Sequence, residues 1–124
     1  MSSMQPDPRD AAHLWDMLQA TEEILAFTRE VTLEGYLQNR MLQLAVERAL
    51  QIVGEAANRM SPGFCADHPE IPWRKIVDQR NVVVHEYGEI EHSLIWDLVE
   101  VHLPRLKEQL AALVPPVPDD SGTS

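Results

Sequence analysis

The chain has 124 residues, 44% of them hydrophobic, and a formal net charge of −10. That length fits one domain with a real core. No apolar run reaches the roughly 18 residues of a membrane span, and Met1 to Pro8 holds neither the basic nor the apolar region of a secretory signal.

The single cysteine, Cys65, excludes an internal disulfide and fits a reducing cytoplasm, where the chain is expected to act. Nothing marks a base paired with it, so it reads as a small core or surface residue rather than a nucleophile. The acidity argues against broad, non-specific nucleic-acid binding, because phosphates are repelled at long range. It serves solubility or a basic partner equally well, and any reading that involves RNA must account for it.

Residues 1–8 read as a flexible tail. The first helix is expected from about Arg9 to Arg29, with Asp7 as capping acid and Pro8 at the first helical position. Leu14, Leu18 and Leu25 form one stripe, and Met17, Ala20, Ile24 and Phe27 a second beside it.

A long second helix is expected from about Leu33 to Met60, capped by Thr32. Leu37, Met41, Ala45, Ala49, Ile52, Val53, Ala56 and Met60 would give it a nearly unbroken apolar face about 40 Å long. Gly54 inside it costs about 1 kcal/mol relative to alanine, which suggests close approach of a neighbouring helix. Ser61-Pro62-Gly63 ends it, and Phe64 to Pro72 reads as a loop.

Trp73 opens a third, shorter helix that runs to about Val84 or His85, with Gly88 as its stop. The fourth spans about Ser93 to Leu113, with Ile95, Val99, Leu103, Leu106, Leu110 and Leu113 at spacings of three and four. Pro104 falls inside it and removes the bond to the Glu100 carbonyl, so a kink is expected there. Residues 114–124 are Pro-rich, then polar and acidic, and are expected to be a disordered tail.

Four amphipathic helices with short links argue for an all-α, antiparallel four-helix bundle over residues 9–113. They carry more apolar surface than one small bundle covers, so a homodimer is expected.

The informative segment runs from Trp73 to Tyr87. From Trp73 to His85 it holds Arg74, Lys75 and Arg80 against Asp78 alone, a local reversal of sign in an acidic chain. A focused phosphate-binding site needs such a reversal. Asn81 and His85 are four apart and share a helix face, whereas Arg80 and His85 are five apart, about 140° around the axis. Either the helix loosens near His85, or a site is completed across a dimer interface.

The residue types suit RNA cleavage. The ribose 2′-hydroxyl is the nucleophile, and its proton must be taken, the leaving 5′-oxygen protonated and the phosphate neutralised. His85 can do either proton task, and Arg80 offers a fixed fork of donors. No metal or other cofactor is required. From spacing alone a structural reading competes, with Arg80 paired to an acid and His85 capping a helix end.

Several ordered landmarks tip this choice. They are Gly54-Glu55-Ala56, Ile71-Pro72-Trp73, Arg80-Asn81-Val82-Val83-Val84-His85-Glu86-Tyr87 and Leu103-Pro104-Arg105-Leu106. The run from Ala45 to Leu110 that holds them resembles the HepT-like family of HEPN toxins.

The resemblance implies an all-α HEPN dimer with ribonuclease activity, with Arg80 and His85 catalytic and Asn81 an auxiliary polar group. It implies the toxin of a type VII-like toxin–antitoxin pair, whose partner is a MntA-like nucleotidyltransferase antitoxin that transfers AMP to the motif tyrosine, here Tyr87. The added bulk and negative charge would block RNA. Glu86, directly after His85, either orients the imidazole or repels RNA. The alternative is a catalytically silent HEPN module that binds a nucleotidyltransferase or a nucleotide.

His13, His68, His92 and His102 show no metal-ligand spacing. Trp15, Trp73 and Trp96 read as core anchors rather than base-stacking platforms. Glu47 and Glu55 on the long helix read as solvated or salt-bridged. Arg74 and Lys75 read as surface groups that can also guide RNA.

Overall fold

The computed structural model describes residues 6–83 and 91–115, with side chains described outside 79–83. Among the described residues every regular element is a helix, and the helices run from Pro8 to Leu113. The all-α expectation holds.

Helix α1 spans Pro8–Phe27. Asp7 caps it as its sequence predicts: its carboxylate accepts from the Arg9 N–H at 2.8 Å, and Pro8 occupies the first turn, where a missing N–H costs nothing. Leu14, Met17, Leu18, Ala20 and Ile24 are buried, whereas Phe27, assigned to the same stripe, is exposed. The Thr28 hydroxyl donates to the Ile24 carbonyl at 2.8 Å and closes the helix. Glu30 then takes a positive φ of 63° to turn the chain.

The single long second helix is corrected by the structure, which divides it into α2 (Leu33–Leu37) and α3 (Arg40–Asn58). Thr32 does cap the start, accepting from the Gly35 N–H at 3.0 Å. The cause of the break is Asn39. Its side chain accepts from the Leu42 N–H at 3.0 Å and starts a new helix, a local bond that competes with helix continuation. The Gln43 amide donates to the carbonyls of both Tyr36 and Leu37, at 3.0 and 3.1 Å, and so closes the end of α2. The corner takes Leu37 and Met41 off the core, leaving them 45% and 80% exposed. Val46, Ala49, Leu50, Val53, Ala56 and Ala57 form the buried face of α3, and Gly54 is buried among them.

The expected loop after Ser61 also needs correction, because its first part is a short helix, α4 (Pro62–Asp67). Ser61 caps it, accepting from the Phe64 N–H at 3.3 Å, with Pro62 at the first position. Helix α5 follows at Trp73–Val83.

The last run is helical throughout: α6 (His92–Asp97), a π-turn at Leu98–His102, and α7 (Leu103–Leu113). Where a kink was expected at Pro104, the structure has this π-turn just ahead of it, in which the Leu103 N–H reaches back five residues to the Leu98 carbonyl. Ile95, Val99, Leu103, Leu106 and Leu110 keep their predicted burial through it.

Packing is centred on α3, which lies against α1 and α5, while α7 packs on α1. The short α2 touches both α3 and α6. Leu14, Met17, Ile24, Val46, Ile71, Ile95 and Leu110 fill the core between these helices, together with Trp96. Trp15 and Trp73 pack at its edge. None of the described helices is long and apolar enough to cross a membrane.

Candidate active site

Helix α5 positions the polar residues singled out in the sequence. Its first turn carries Arg74 and Lys75, both exposed, and Ile76, which is buried and fixes the inward face. The Trp73 indole N–H donates to the His68 carbonyl at 2.9 Å and anchors the start of the helix to the preceding loop. Arg80 and Asn81 fall in the last turn of α5, with their side chains among those not described; His85, Glu86 and Tyr87 lie outside the described residues.

His92, at the start of α6, lies five residues after Tyr87 in sequence, and there a buried polar cluster comes together from three elements. Glu47 of α3 is only 7% exposed. Its Oε2 lies 3.6 Å from His92 Nδ1 and 4.0 Å from the Arg40 guanidinium. Tyr36 of α2 is fully buried, edge-on to the His92 ring and stacked at a tilt on Trp96, with ring centroids 6.2 and 5.1 Å away.

Burial, reinforced by the Glu47 carboxylate, pushes the Tyr36 hydroxyl up to about 12. Tyr36 Oη, Glu47 Oε2 and His92 Nδ1 are all buried without a hydrogen-bond partner among the described residues. The cluster ties the start of α6 to α3.

Glu47 is salt-bridged, as its sequence position suggested; Glu55 is exposed. The meeting of Tyr36, Glu47 and His92 was not foreseen, because they lie on three elements and share no local spacing. Cys65 sits on α4, where burial and the nearby Asp10 charge raise its thiol, which disfavours the thiolate. Among the described residues no three His, Cys, Asp or Glu side chains converge as a metal site.

The match to known proteins is decided over most of the chain. Residues 17–113 match the family model described as "Ribonuclease HepT-like". The chain belongs to this family.

Similar proteins carry consistent names. "Probable ribonuclease HepT" of Thermococcus cleftensis is 38% identical over 101 residues, covering 82% of this chain and 92% of that protein. "Putative RNase MJ1380" of Methanocaldococcus jannaschii is 32% identical over 99 residues, covering 80% and 91%. "Putative RNase TTE0752" of Caldanaerobacter subterraneus is 26% identical over 102 residues, covering 82% and 91%. No solved structure matches. The matched span of this HepT-like chain includes all of α5, the segment with His85 and Tyr87, and the polar cluster.

Proposed function

We propose that this HepT-like chain is a metal-independent endoribonuclease that works in the cytoplasm as a homodimer. The observation that carries the reading is the family match across residues 17–113, which spans Arg80, Asn81, His85 and Tyr87 as a unit. In this reaction the 2′-oxygen attacks the neighbouring phosphorus and the bond to the 5′-oxygen breaks. The products are a 2′,3′-cyclic phosphate and a free 5′-hydroxyl. His85 moves a proton, off the 2′-hydroxyl or onto the leaving oxygen, Arg80 neutralises the phosphate, and Asn81 assists as a polar contact.

The homodimer reading has support in exposed apolar side chains. Leu37, Met41 and Leu44 lie exposed along α2 and α3, and Leu94 and Val101 on α6 and the π-turn. The short α2 packs on both α3 and α6, the helices that carry Met41, Leu44 and Leu94. A small acidic protein gains from covering such residues with a second copy. In this reading α1, α3, α5 and the run from α6 through α7 form an antiparallel four-helix bundle, and two bundles bring two copies of the Arg80–His85 motif together.

The biological role we propose is the toxin of a type VII-like pair. A MntA-like nucleotidyltransferase neutralises it by AMP transfer to Tyr87, which places bulk and negative charge beside the catalytic residues. The net charge of −10 favours a second reading, a silent HEPN module that binds a nucleotidyltransferase or a nucleotide.

Expression alone separates the two. The enzyme slows growth and degrades RNA, and Arg80→Ala and His85→Ala relieve both effects. A harmless wild type with intact RNA, or mutants as harmful as the wild type, establishes the binding module instead. Co-expression with the nucleotidyltransferase adds mass to Tyr87 in AMP-sized steps, and Tyr87→Phe stays unmodified.

A further inference from the structure

The first turn of α5 and the loop before it face the π-turn and α7 across an open groove of about 470 Å³, within the size range of small-ligand sites. Its lining combines an apolar floor of Pro72, Ile76 and Leu98 with Lys75, His102 and Arg105. Among the described residues Glu70 is the one carboxylate of the lining, and its Oε2 lies 3.4 Å from His68 Nδ1. In a chain of net charge −10, a lysine, an arginine and a histidine line opposite walls of one groove. Arg105 and Lys75 are 30 residues apart in sequence and are joined only by the fold.

The walls are tied together. The Gln109 amide of α7 donates to the Glu70 carbonyl at 2.9 Å, and Trp73 is fixed to the His68 carbonyl on the other side. The groove is therefore preformed. Its far wall contains the π-turn, just ahead of Pro104, which has no N–H to return to the Glu100 carbonyl; such turns recur at functional sites.

Apolar floor and basic rim are the two halves of nucleotide recognition: one face for a base, fixed cations for its phosphate. We propose that this groove holds one ribonucleotide unit of single-stranded RNA away from the scissile bond, with its phosphate between Lys75 and Arg105. The proposal rests on the reading of the chain as an RNA-acting protein. It supplies what the net charge lacks, an attractive surface for the substrate.

The test is fluorescence anisotropy of the full chain with a 2′-O-methyl oligoribonucleotide, which lacks the nucleophile and so separates binding from cleavage. Each cation that meets a phosphate contributes about 0.7 to the slope of log affinity against log salt for single strands. Lys75→Ala and Arg105→Ala are each expected to weaken binding severalfold and flatten the slope by about that amount. Lys107→Ala, on α7 but outside the lining, is expected to keep the wild-type slope.

Free adenosine monophosphate that displaces the oligonucleotide from the wild type but not from the Arg105 variant supports recognition of a single unit. Equal slopes for all three variants overturn the proposal. So does poly-glutamate that competes as well as RNA of the same charge, since an acidic protein surface is then the occupant.

The outcome is separable from the nuclease reading. A wild type that binds through Lys75 and Arg105 but cleaves nothing keeps the groove and removes the enzyme. One that cleaves, with unchanged binding in both variants, keeps the enzyme and removes the groove.

Discussion

Asp10 and Ser61, 51 residues apart, are joined by two hydrogen bonds: the Ser61 N–H donates to Oδ1 at 2.9 Å and its hydroxyl to Oδ2 at 2.6 Å. Asp10 is 5% exposed, in the first turn of α1, and Ser61 is the residue that caps α4. One buried carboxylate thus organises the start of two helices and sets where the chain leaves α3. Removing it leaves the Ser61 N–H without its acceptor. Asp10→Ala is expected to lower stability by about 1–3 kcal/mol in urea unfolding, and Asp10→Asn by less, because it retains an acceptor. A loss under 0.5 kcal/mol for the alanine variant contradicts this account.

The same carboxylate acts on Cys65. Burial first, and then the Asp10 charge, raise the thiol, so at neutral pH alkylation is expected to be slower than for a free cysteine. Asp10→Asn should accelerate it, while Cys65→Ser should leave RNA cleavage unchanged. Loss of cleavage in Cys65→Ser would require a catalytic role that the raised thiol argues against.

Tyr36 predicts how the fold behaves in alkali. Its hydroxyl is held at about 12 against an unfolded value near 10, so the neutral form is the one the folded state favours. This stabilisation is complete below about pH 10 and is lost as the pH rises toward 12. Thermal melts of the wild type should therefore fall more steeply over that window than those of Tyr36→Phe. At neutral pH the phenylalanine variant should be about as stable as the wild type, or more so, because the hydroxyl it removes is buried without a partner among the described residues. Glu47→Gln should move the tyrosine titration downward, seen by its ultraviolet absorbance.

The exposed apolar side chains give a prediction on assembly. Met41→Glu and Leu44→Glu place charges where a partner copy would have to exclude water, and light scattering should show the mass halved relative to the wild type. A wild type that is monomeric at all concentrations sinks the dimer reading.

Glu30 is the non-glycine residue with positive φ among the described residues, at 63°. A left-handed conformation costs about 1–2 kcal/mol for such a residue, and glycine returns part of that as chain entropy in the unfolded state. Glu30→Gly should raise the melting temperature by a few degrees with no change in RNA binding. A lower melting temperature would mean that the Glu30 side chain makes a contact worth more than the strain.

The parts of the fold that follow from periodicity were readable in advance. The stripe from Ile95 to Leu110 survives the π-turn because its apolar residues stay on the core side through it. Asp7 and Thr32 were readable as caps because each stands just ahead of an apolar-periodic run. The break at Asn39 was not, since Leu37, Met41 and Ala45 continue the pattern straight across it, and the deciding bonds come from the polar side chains of Asn39 and Gln43.

The candidate site divides in the same way. The motif from Arg80 to Tyr87 is contiguous and stands out in the sequence, but spacing alone left its convergence open. Lys75 was readable as a cation near the motif. Its meeting with Arg105 and His102 was not, because a groove between two helices has no signature along one chain.

The double donation from Gln43 also bears on how the molecule assembles. A helix of five residues does not persist unaided in water, and the final carbonyls of α2 are closed by an amide belonging to α3. Helix α2 must therefore form and melt together with the opening turn of its successor. Amide exchange should report one opening event for Tyr36 through Gln43, and Gln43→Ala should loosen the whole elbow while the far half of α3 keeps its protection.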